Sequence, residues 1–424
     1  MMFPTNNDNE LSHFTAHLFR ENSGKMIAVL SKRFGIDKID DVTDVVQDSF
    51  EAALTKWKYG NLPENPSAWL MQVAKNKMIN KLKAANHQRV TLTDHFYGID
   101  ISSEPTETEI ADSQLRLLFF FCKLELSPKK KILLTLYFLC GFGYAEIANA
   151  LLMQEEAVKK TITRSKELLK SFHSTLEDEN LLSQIHQEEL YLILYLMFNE
   201  GYKTTRSANG LNTDLCYEAI RLTKLILSEN NYAEAGALLA LMFFNVARFP
   251  ARIDEEKSWI PLKEQNRELW NKELILEGFY YLDLVQKKTT ALNSYYLEAL
   301  IASIHCSHSS YEQTDWRKIA FLYHQLEKLK PSSGTVVLNR MMAESHYEPA
   351  SSLIQQIGER ESFFMKGNPY LLYLCKAYLF QKDNQIHAAL HFYQMALNLV
   401  KSVMDEKYIR LQMKKLLDTG SHSN

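Results

Sequence analysis

Apolar residues recur three and four positions apart through most of this 424-residue chain, and residues that interrupt helices are scarce. The sequence has only 14 Gly and 10 Pro, whereas Leu, Ala, Lys, Glu and Met, which favour helix, are frequent. Apolar residues at this spacing form one face of a helix that must be buried. The sequence therefore predicts an all-α protein, long enough for roughly two to four domains.

The ends and the cysteines exclude several classes of protein. The first twenty residues have no basic start followed by an apolar run, and no stretch of the sequence approaches eighteen apolar residues. We therefore expect neither a signal peptide nor a membrane span, and a cytoplasmic location. The five cysteines include no CxxC pair, so neither a disulfide framework nor a cysteine zinc site is predicted.

Charge is unevenly distributed, although the formal net charge is only −3. Residues 1–90 carry 12 basic and 10 acidic side chains, and residues 113–173 carry 10 basic and 5 acidic ones. Between them, residues 91–112 carry six acids and neither Lys nor Arg. The acidic segment also lacks apolar periodicity, which is typical of a linker between two helical modules.

The segment "DDVTDVVQDSFEAALTKW" predicts a helix with one apolar face and one acidic face. Asp41, Asp44, Asp48 and Glu51 follow at helical spacing, and no lysine lies among them to form pairs along the helix. Two interpretations stay open. The stripe is either a solvated surface or a surface for a basic partner.

The next helix, "SAWLMQVAKNKMINKLK", predicts a polar, basic surface. Asn65 is a candidate N-cap with Pro66 in the first turn. Amide and ammonium side chains suit a nucleic-acid backbone with some base contact, and Trp69 is expected in the core rather than as a base platform. The outward-facing residues of this helix are Asn76, Lys77, Asn80, Lys81 and Lys83.

The stretch "GYAEIANALLMQEEAVKKTITRSKELLK" predicts two short helices joined by a tight turn. If the second helix enters a major groove, its early residues reach base edges and its later cations meet phosphates. A pair of basic amphipathic helices in an ordinary soluble bundle is the alternative. The early residues are Glu155, Lys159, Lys160 and Thr163, and the later ones are Arg164, Lys166 and Lys170.

From about residue 180 the sequence reads as a series of amphipathic helices. The pairing of "KAYLFQKD" with "HAALHFYQMALNL" suggests tetratricopeptide-like helical hairpins, although no strict consensus repeats. The histidines of "HCSH" give at most two ligands on a helix, so no metal site is expected. Glu200 in "FNEGY" is expected to be a paired carboxylate near a helix end rather than a catalytic group. No P-loop, GxGxxG, HExxH or GxSxG is present, and we expect neither enzyme activity nor a cofactor.

Taken in order, these segments resemble a sigma factor of the extracytoplasmic-function type, from the sigma-70 family. "DDVTDVVQDSFEAAL" resembles the part that binds the polymerase clamp helices, and "NPSAWLMQVAKNKMINKLK" resembles the helix that melts and reads the −10 element. "LSPKKKILLTLYFLCGFGYAEIANALLMQEEAVKKTITRSKELL" resembles region 4, which reads the −35 element. The remainder, with "LYLMFNEGY" and "LALMFFNVARFPAR", resembles the extension of a subgroup with tetratricopeptide-like carboxy-terminal domains.

The resemblance implies four segments: region 2 over 8–90, an acidic linker over 91–112, region 4 over 113–173 and a regulatory helical domain over 180–418. It implies binding to the clamp helices and flap of core RNA polymerase and to promoter DNA, with no membrane. It also implies a regulatory protein or ligand at the helical domain. A helix-turn-helix regulator that acts without polymerase is the alternative.

The resemblance also implies three sets of site residues. The polymerase-binding set is Asp41, Asp44, Gln47, Asp48 and Glu51. The −10 set is Lys56, Asn65, Ser67, Lys75, Asn76, Asn80, Lys81 and Lys83, and the −35 set is Glu155, Lys159, Lys160, Thr161, Thr163, Arg164 and Lys166.

Overall fold

The structure is a computed structural model. It describes residues 8–57, 62–86, 105–151, 153–172, 176, 187–202, 211–229, 233–254, 259–287, 293–400 and 403–420. Within these ranges the protein forms α-helices and short 3-10 turns, and the β-structure is limited to one isolated bridge between Ile253 and Trp259. The all-α prediction is confirmed. No helix in the described ranges is both long and apolar enough to cross a membrane.

The chain divides into two compact units, Met1–Leu196 and Met197–Asn424. The first unit contains seven complete α-helices among its described residues. They are α1 (Asp8–Phe34), α2 (Ile39–Trp57), α3 (Pro66–Asn86), α4 (Glu107–Lys123), α5 (Pro128–Phe138), α6 (Tyr144–Ala150) and α7 (Glu155–Lys170).

An eighth helix, α8 (Gln187–Tyr202), carries the boundary between the two units. The described helices that follow it all belong to the second unit. They are α9 (Thr213–Glu229), α10 (Ala233–Val246), α11 (Lys272–Gln286), α12 (Ser294–Cys306), α13 (Trp316–Leu329), α14 (Gly334–Glu344), α15 (Ala350–Glu359), α16 (Glu361–Gly367), α17 (Pro369–Lys382), α18 (Ile386–Leu397) and α19 (Val403–Gly420).

Helices α2 and α3 pack side by side through the apolar faces that the sequence predicts. Val42, Val46 and Phe50 on α2 are buried, as are Leu70 and Met78 on α3. Asn65 caps α3 as predicted, because its side-chain oxygen accepts a hydrogen bond from the Ala68 amide at 3.1 Å. The Trp57 and Trp69 rings lie 5.2 Å apart where the two helices meet.

Helix α4 begins inside the segment predicted as a linker. Residues 87–104 lie outside the described ranges, but α4 starts at Glu107, where the Thr106 hydroxyl accepts a hydrogen bond from the Glu109 amide. Acidic side chains favour the N-terminus of a helix because its exposed amides carry partial positive charge. The last acids of the predicted linker are therefore part of a helix.

Helix α1 is the element against which α4 and α5 pack. Near the middle of α1, Gly24 lies so close to the backbone of Leu139 that a methyl group on Gly24 would overlap the Leu139 carbonyl oxygen. Gly141 follows with φ of 66°, a left-handed conformation that glycine adopts without strain. A methyl group at Gly141 would collide with the Ser23 hydroxyl on α1. Only glycine at positions 24 and 141 permits this close approach of α1 to the segment that follows α5.

Ion pairs surround this apolar contact along α1. Lys32 and Arg33 bind Asp112 and Glu109 of α4, with N···O distances of 2.6 Å and 2.7 Å. Near the other end of the contact, Arg20 binds Glu146 of α6 at 2.7 Å and stacks on the Phe142 ring. Because α1 to α3 and α4 to α7 form one compact unit, the segments predicted as regions 2 and 4 are in direct contact.

The second unit is built from antiparallel helix pairs around apolar cores. Helix α10 is buried over almost its whole surface, which suits a helix enclosed by α9, α11 and α12. Helices α17 and α18 form a hairpin whose turn contains Asn384 with φ of 59°. The core around this hairpin includes Leu372, Tyr393 and, from α19, Ile409.

A cluster of stacked rings joins α12, α13 and α14 in the second unit. The Trp316 and His346 rings stack with centroids 3.7 Å apart, and the Tyr311 hydroxyl lies 3.1 Å from Nε2 of His346. Burial, reinforced by nearby cations, lowers the pKa of His346 to about 4 and that of His305 to about 3. Both rings are therefore neutral at ordinary pH.

Replacing Gly24 with alanine tests the contact between α1 and Leu139. The added methyl group forces the two segments apart, so we expect the free energy of unfolding to fall by about 1–3 kcal/mol. Gly358 is the matched control, because a methyl group there meets nothing within 4 Å, and Gly358→Ala should be neutral or stabilise by up to about 1 kcal/mol. Urea unfolding of both variants measures this, and equal effects would contradict the contact.

The neutral histidines predict a pH dependence of stability. An unfolded histidine takes up a proton below about pH 6.5, whereas folded His346 does so only near its pKa of about 4. The unfolded state binds more protons in that interval, so the free energy of unfolding decreases as pH falls from about 6.5 towards 4. Each such histidine contributes at most about 1.4 kcal/mol per pH unit.

We expect His346→Gln to flatten this dependence and exposed His324→Gln to leave it unchanged. Urea unfolding of the full chain at several pH values between about 4.5 and 7 measures the slope. Identical slopes in the two variants would show that His346 protonates normally in the folded protein.

Candidate nucleic-acid interface

Helix α7 presents most of its predicted DNA-binding residues to solvent. The apolar face of Val158, Ile162 and Leu169 is buried, as its spacing predicts. Glu155, Lys160, Thr163 and Arg164 are exposed, and Lys159 and Thr161 are half-buried. The two helices α6 and α7 pack against each other as a helix-turn-helix.

Several polar groups of α7 are already engaged within the helix. Lys159 pairs with Glu155 at 3.1 Å and with Glu156 at 3.2 Å, and these hydrogen bonds raise its pKa. The hydroxyls of Thr161 and Thr163 donate to backbone carbonyls one turn earlier. Lys160 and Arg164 make no ion pair with another described residue, so they are the cations of α7 that are free for a phosphate.

The polar residues predicted around α3 form a second exposed surface. Lys56 lies 5.8 Å from the centre of the Trp69 ring, and Trp69 itself is half-buried. The Gln72 amide donates a hydrogen bond to the side-chain oxygen of Asn76. The exposed members of the predicted set are Lys56, Asn65, Asn76, Asn80, Lys81 and Lys83, and Ser67 is half-buried.

Lys75 differs from the rest of the predicted −10 set. Its residue is only 3% exposed, because it lies on the side of α3 that faces inward. In this conformation Lys75 is not part of the polar surface, and the expectation that its side chain is accessible to DNA is not met. Its position one residue after buried Ala74 explains the difference.

The acidic stripe of α2 finds its counter-charges on α3. Lys81 lies 2.7 Å from Asp41 and 3.1 Å from Asp44, while Lys77 lies 3.5 Å from Asp48. Partial burial of Lys81 opposes its charge, but hydrogen bonds to the two aspartates prevail and raise its pKa. The stripe is thus partly neutralised by residues that were predicted to face DNA.

An open cleft of about 510 Å³ separates the two helices at this place. Its lining includes Gln47, Glu51 and Asn80 besides the paired charges. Glu51 is exposed and makes no ion pair with a described residue. Of the predicted polymerase-binding residues, Gln47 and Glu51 are therefore the ones whose side chains are not held by Lys77 or Lys81.

Sequence reasoning missed a contact between α7 and α2. Asp40 lies 3.1 Å from Lys166 and 2.6 Å from Lys170, and Lys166 also donates to the Thr43 hydroxyl. Burial raises the pKa of Asp40, but the hydrogen bonds from both lysines outweigh it and hold the pKa below its usual value. No spacing in the sequence indicates this contact, because the partners are over 120 residues apart.

No group of three or more potential metal ligands occurs in the part of the chain that the structure describes. In the "HCSH" segment, the carbonyl oxygens of His305 and His308 both accept hydrogen bonds from Arg267. The polar side chains on the helix surfaces of the N-terminal unit are mainly charged groups and amides.

Comparison with protein families matches three parts of the chain. Residues 18–88 match the model of sigma-70 region 2, and residues 121–169 match that of sigma-70 region 4. Residues 187–286 match a family of unknown function (DUF6596). The two sigma-70 segments contain the α2–α3 pair and the helix-turn-helix described above.

A relative from Rhizobium meliloti (strain 1021), described only as an uncharacterised protein, is 30% identical over 392 residues. The similarity covers 89% of this chain and 90% of the relative, so it includes residues of both units. No solved structure matches. With both sigma regions in order and a helical continuation after them, the chain belongs to the sigma-70 family of transcription initiation factors.

Proposed function

We propose that this protein is a sigma factor of the extracytoplasmic-function type. It binds core RNA polymerase, reads the −35 element through α7 and engages the −10 element through α3 and the loop before it. The observation that carries the proposal is the exposed surface of α7, where Lys160 and Arg164 flank Thr163 and neither cation makes an ion pair with a described residue. The polymerase performs the chemistry of RNA synthesis, since family members are not enzymes.

In the proposed complex, the residues of α7 divide by chemistry. The Thr163 hydroxyl, which donates to the Lys159 carbonyl, accepts a hydrogen bond at a base edge, and Glu155 accepts from a cytosine amino group. Lys160 and Arg164 neutralise phosphates, which supplies affinity and fixes the orientation of the helix. Lys166 joins them only after its contact with Asp40 is released.

The proposed −10 surface serves single-stranded DNA. Asn65, Asn76 and Asn80 can each donate to and accept from an unstacked base, while Lys56 and Lys83 attract the backbone. Of these residues, Asn80 lines the cleft between α2 and α3. An amide-rich surface beside cations favours base contact over simple phosphate attraction.

Gln47 and Glu51 are the proposed first contacts with the polymerase clamp. The pairing of Asp41, Asp44 and Asp48 with lysines of α3 weakens the earlier reason for requiring an external basic partner. This pairing favours the second candidate, a helix-turn-helix regulator that binds duplex DNA without polymerase. The two functions make different predictions for Glu51. Its charge contributes to polymerase binding in a sigma factor and has no such role in a regulator that acts without polymerase.

The proposed sigma function requires the N-terminal unit to open. Elements at −10 and −35 are about 25 base pairs apart, which is on the order of 85 Å at about 3.4 Å per pair. In the structure α7 touches α2 through ion pairs of 2.6 Å and 3.1 Å. One closed unit cannot span both elements, so we infer that polymerase binding separates α4–α7 from α1–α3.

The helical second unit is proposed to modulate activity. A truncation that tests this should end after Tyr202 rather than near residue 180. Lys131, which is 3% exposed, pairs with Glu189 of α8 at 2.5 Å, so a chain ending near 180 loses the partner of a buried charge in region 4. Higher promoter-dependent transcription after truncation indicates an inhibitory unit, and lost transcription indicates a required one.

Substitutions on α2 and α7 separate polymerase binding from DNA binding. We expect Glu51→Lys to weaken binding to core polymerase by about tenfold or more, because it reverses the charge of the stripe that makes no ion pair with a described residue. The double variant Lys160→Ala, Arg164→Ala should bind the core normally and lose about 10-fold to 100-fold in affinity for promoter DNA. Fluorescence titration with core enzyme and then with promoter fragments measures both.

Glu348→Lys is the control, because it makes the same charge reversal at an exposed site in the second unit. A wild-type chain that binds duplex DNA but not core polymerase would reject the sigma function and favour the regulator. Normal core binding by Glu51→Lys would reject the proposed clamp contact alone.

Removal of the Asp40 charge tests the closed state. Spin labels at Lys83→Cys and Glu156→Cys report the distance between α3 and α7 in the full chain. We expect core polymerase to lengthen it, and Asp40→Asn to raise the population with the longer distance about fivefold by breaking two partly buried ion pairs. Raised salt should act in the same direction.

Asp44→Asn is the matched control. Asp44 lies one turn further along α2 but pairs with Lys81 of α3, so its loss leaves α7 in place. An unchanged distance on addition of core polymerase, or equal effects of the two variants, would overturn the opening step.

A further inference from the structure

The second unit contains a cavity of about 460 Å³ that the proposed transcription function does not use. It lies among α12, α13, α14, α17, α18 and α19, with the segment after Pro261 at its edge. Its volume is in the range of pockets for small organic ligands and is many times the volume of one water molecule. The family match at residues 187–286 covers little of its lining.

Several aromatic side chains line the cavity, and some of them pack against one another. Trp316 stacks on His346, while Tyr311 packs against Trp316 with centroids 4.8 Å apart. On the opposite side, the Tyr393 hydroxyl donates to Gln381, and Tyr378 lies beside it. Rigid aromatic walls of this kind lose little conformational entropy when a flat ring packs against them.

The charges at the cavity favour an anion. Glu264, the acidic side chain of the lining, is already paired with Lys415 at 3.1 Å. Lys263 is exposed at the edge and makes no ion pair with a described residue. Lys263 and Lys382 both act electrostatically on His346, so two cations lie near this end of the cavity.

His305 contributes a buried polar ring to the wall. Nδ1 of His305 is buried and makes no hydrogen bond within the described part of the chain. Its ring contacts Trp316 edge to face, with centroids 5.4 Å apart. A buried nitrogen without a hydrogen-bond partner costs free energy.

We propose that this cavity binds a small organic anion that carries a flat aromatic ring. The ring lies among Trp316, Tyr378 and Tyr393, and the anionic group is held at Lys263. The proposal does not rest on transcription, since it concerns binding by the second unit alone. It narrows the ligand to molecules that combine a planar apolar part with a carboxylate, sulfonate or phosphate.

Two matched probes test the proposal on the full-length protein. 8-Anilinonaphthalene-1-sulfonate carries the ring system with a negative charge, and N-phenyl-1-naphthylamine carries the same rings without it. We expect the anionic probe to bind with one molecule per chain and about tenfold more tightly than the neutral one. Equal affinities, or several anionic molecules per chain, would refute a specific anion site.

Variants locate the binding. Lys263→Gln should weaken binding of the sulfonate about fivefold to tenfold and leave the neutral probe unchanged, whereas Lys318→Gln, at an exposed lysine of α13, should leave both unchanged. Met342→Trp fills the cavity from α14 and should abolish binding of both probes. If that variant does not fold, Met342→Phe replaces it, with a smaller loss.

Thermal unfolding of each variant verifies that it is folded. Unaltered sulfonate binding by a folded Met342 variant would mean that the probe binds elsewhere, and the proposal would be wrong. Equal sulfonate affinities for Lys263→Gln and Lys318→Gln would likewise overturn the role of Lys263.

Discussion

The close approach of α1 to the backbone at Leu139 determines how the N-terminal unit is built. Gly24 lacks the side chain that would keep the segments apart, and Gly141 supplies the left-handed turn that returns the chain towards α6. Once this contact forms, α1 serves as a shared wall for both sigma regions. The ion pairs that Lys32 and Arg33 make with α4 then fix the orientation of α4 relative to α1, at the edge of their apolar interface.

The packing of the N-terminal unit also determines where region 4 ends in the structure. Lys131 is buried at the start of α5 and would be an uncompensated charge without Glu189, which lies on α8. The first half of α8 therefore belongs to the unit of the sigma regions, although the family match of the extension begins at residue 187. A boundary drawn from homology or composition alone cuts through a charge pair that region 4 needs.

Local features of this chain could be predicted from its sequence, whereas long-range pairings could not. The helical period correctly assigned Val158 and Ile162 to the core, and Asn65 before Pro66 correctly indicated a cap. The partners of Asp40 could not be found, because an acid near the start of α2 gives no indication of lysines over 120 residues later. Lys75 was misplaced since helical spacing alone leaves a lysine at the edge of the buried face ambiguous.

Asp40 also connects the two proposed binding events. In the closed unit it holds Lys166 and Lys170, and it lies beside the acidic stripe that is proposed to meet the polymerase. A basic surface on the polymerase that competes for Asp40 would free both lysines for phosphates. Each further phosphate contact strengthens DNA binding and steepens its dependence on salt.

Because such coupling is reciprocal, DNA that attracts the freed lysines would also stabilise the open, polymerase-bound form. Before opening, Lys160 and Arg164 are the cations of α7 without a described partner, and Lys159 is neutralised by Glu155 and Glu156. In the proposed mechanism the closed protein therefore binds duplex DNA more weakly than the open form, because Lys166 and Lys170 become available only where polymerase is bound. An acidic residue outside the predicted sites thus provides a physical route by which the proposed promoter binding would depend on the polymerase.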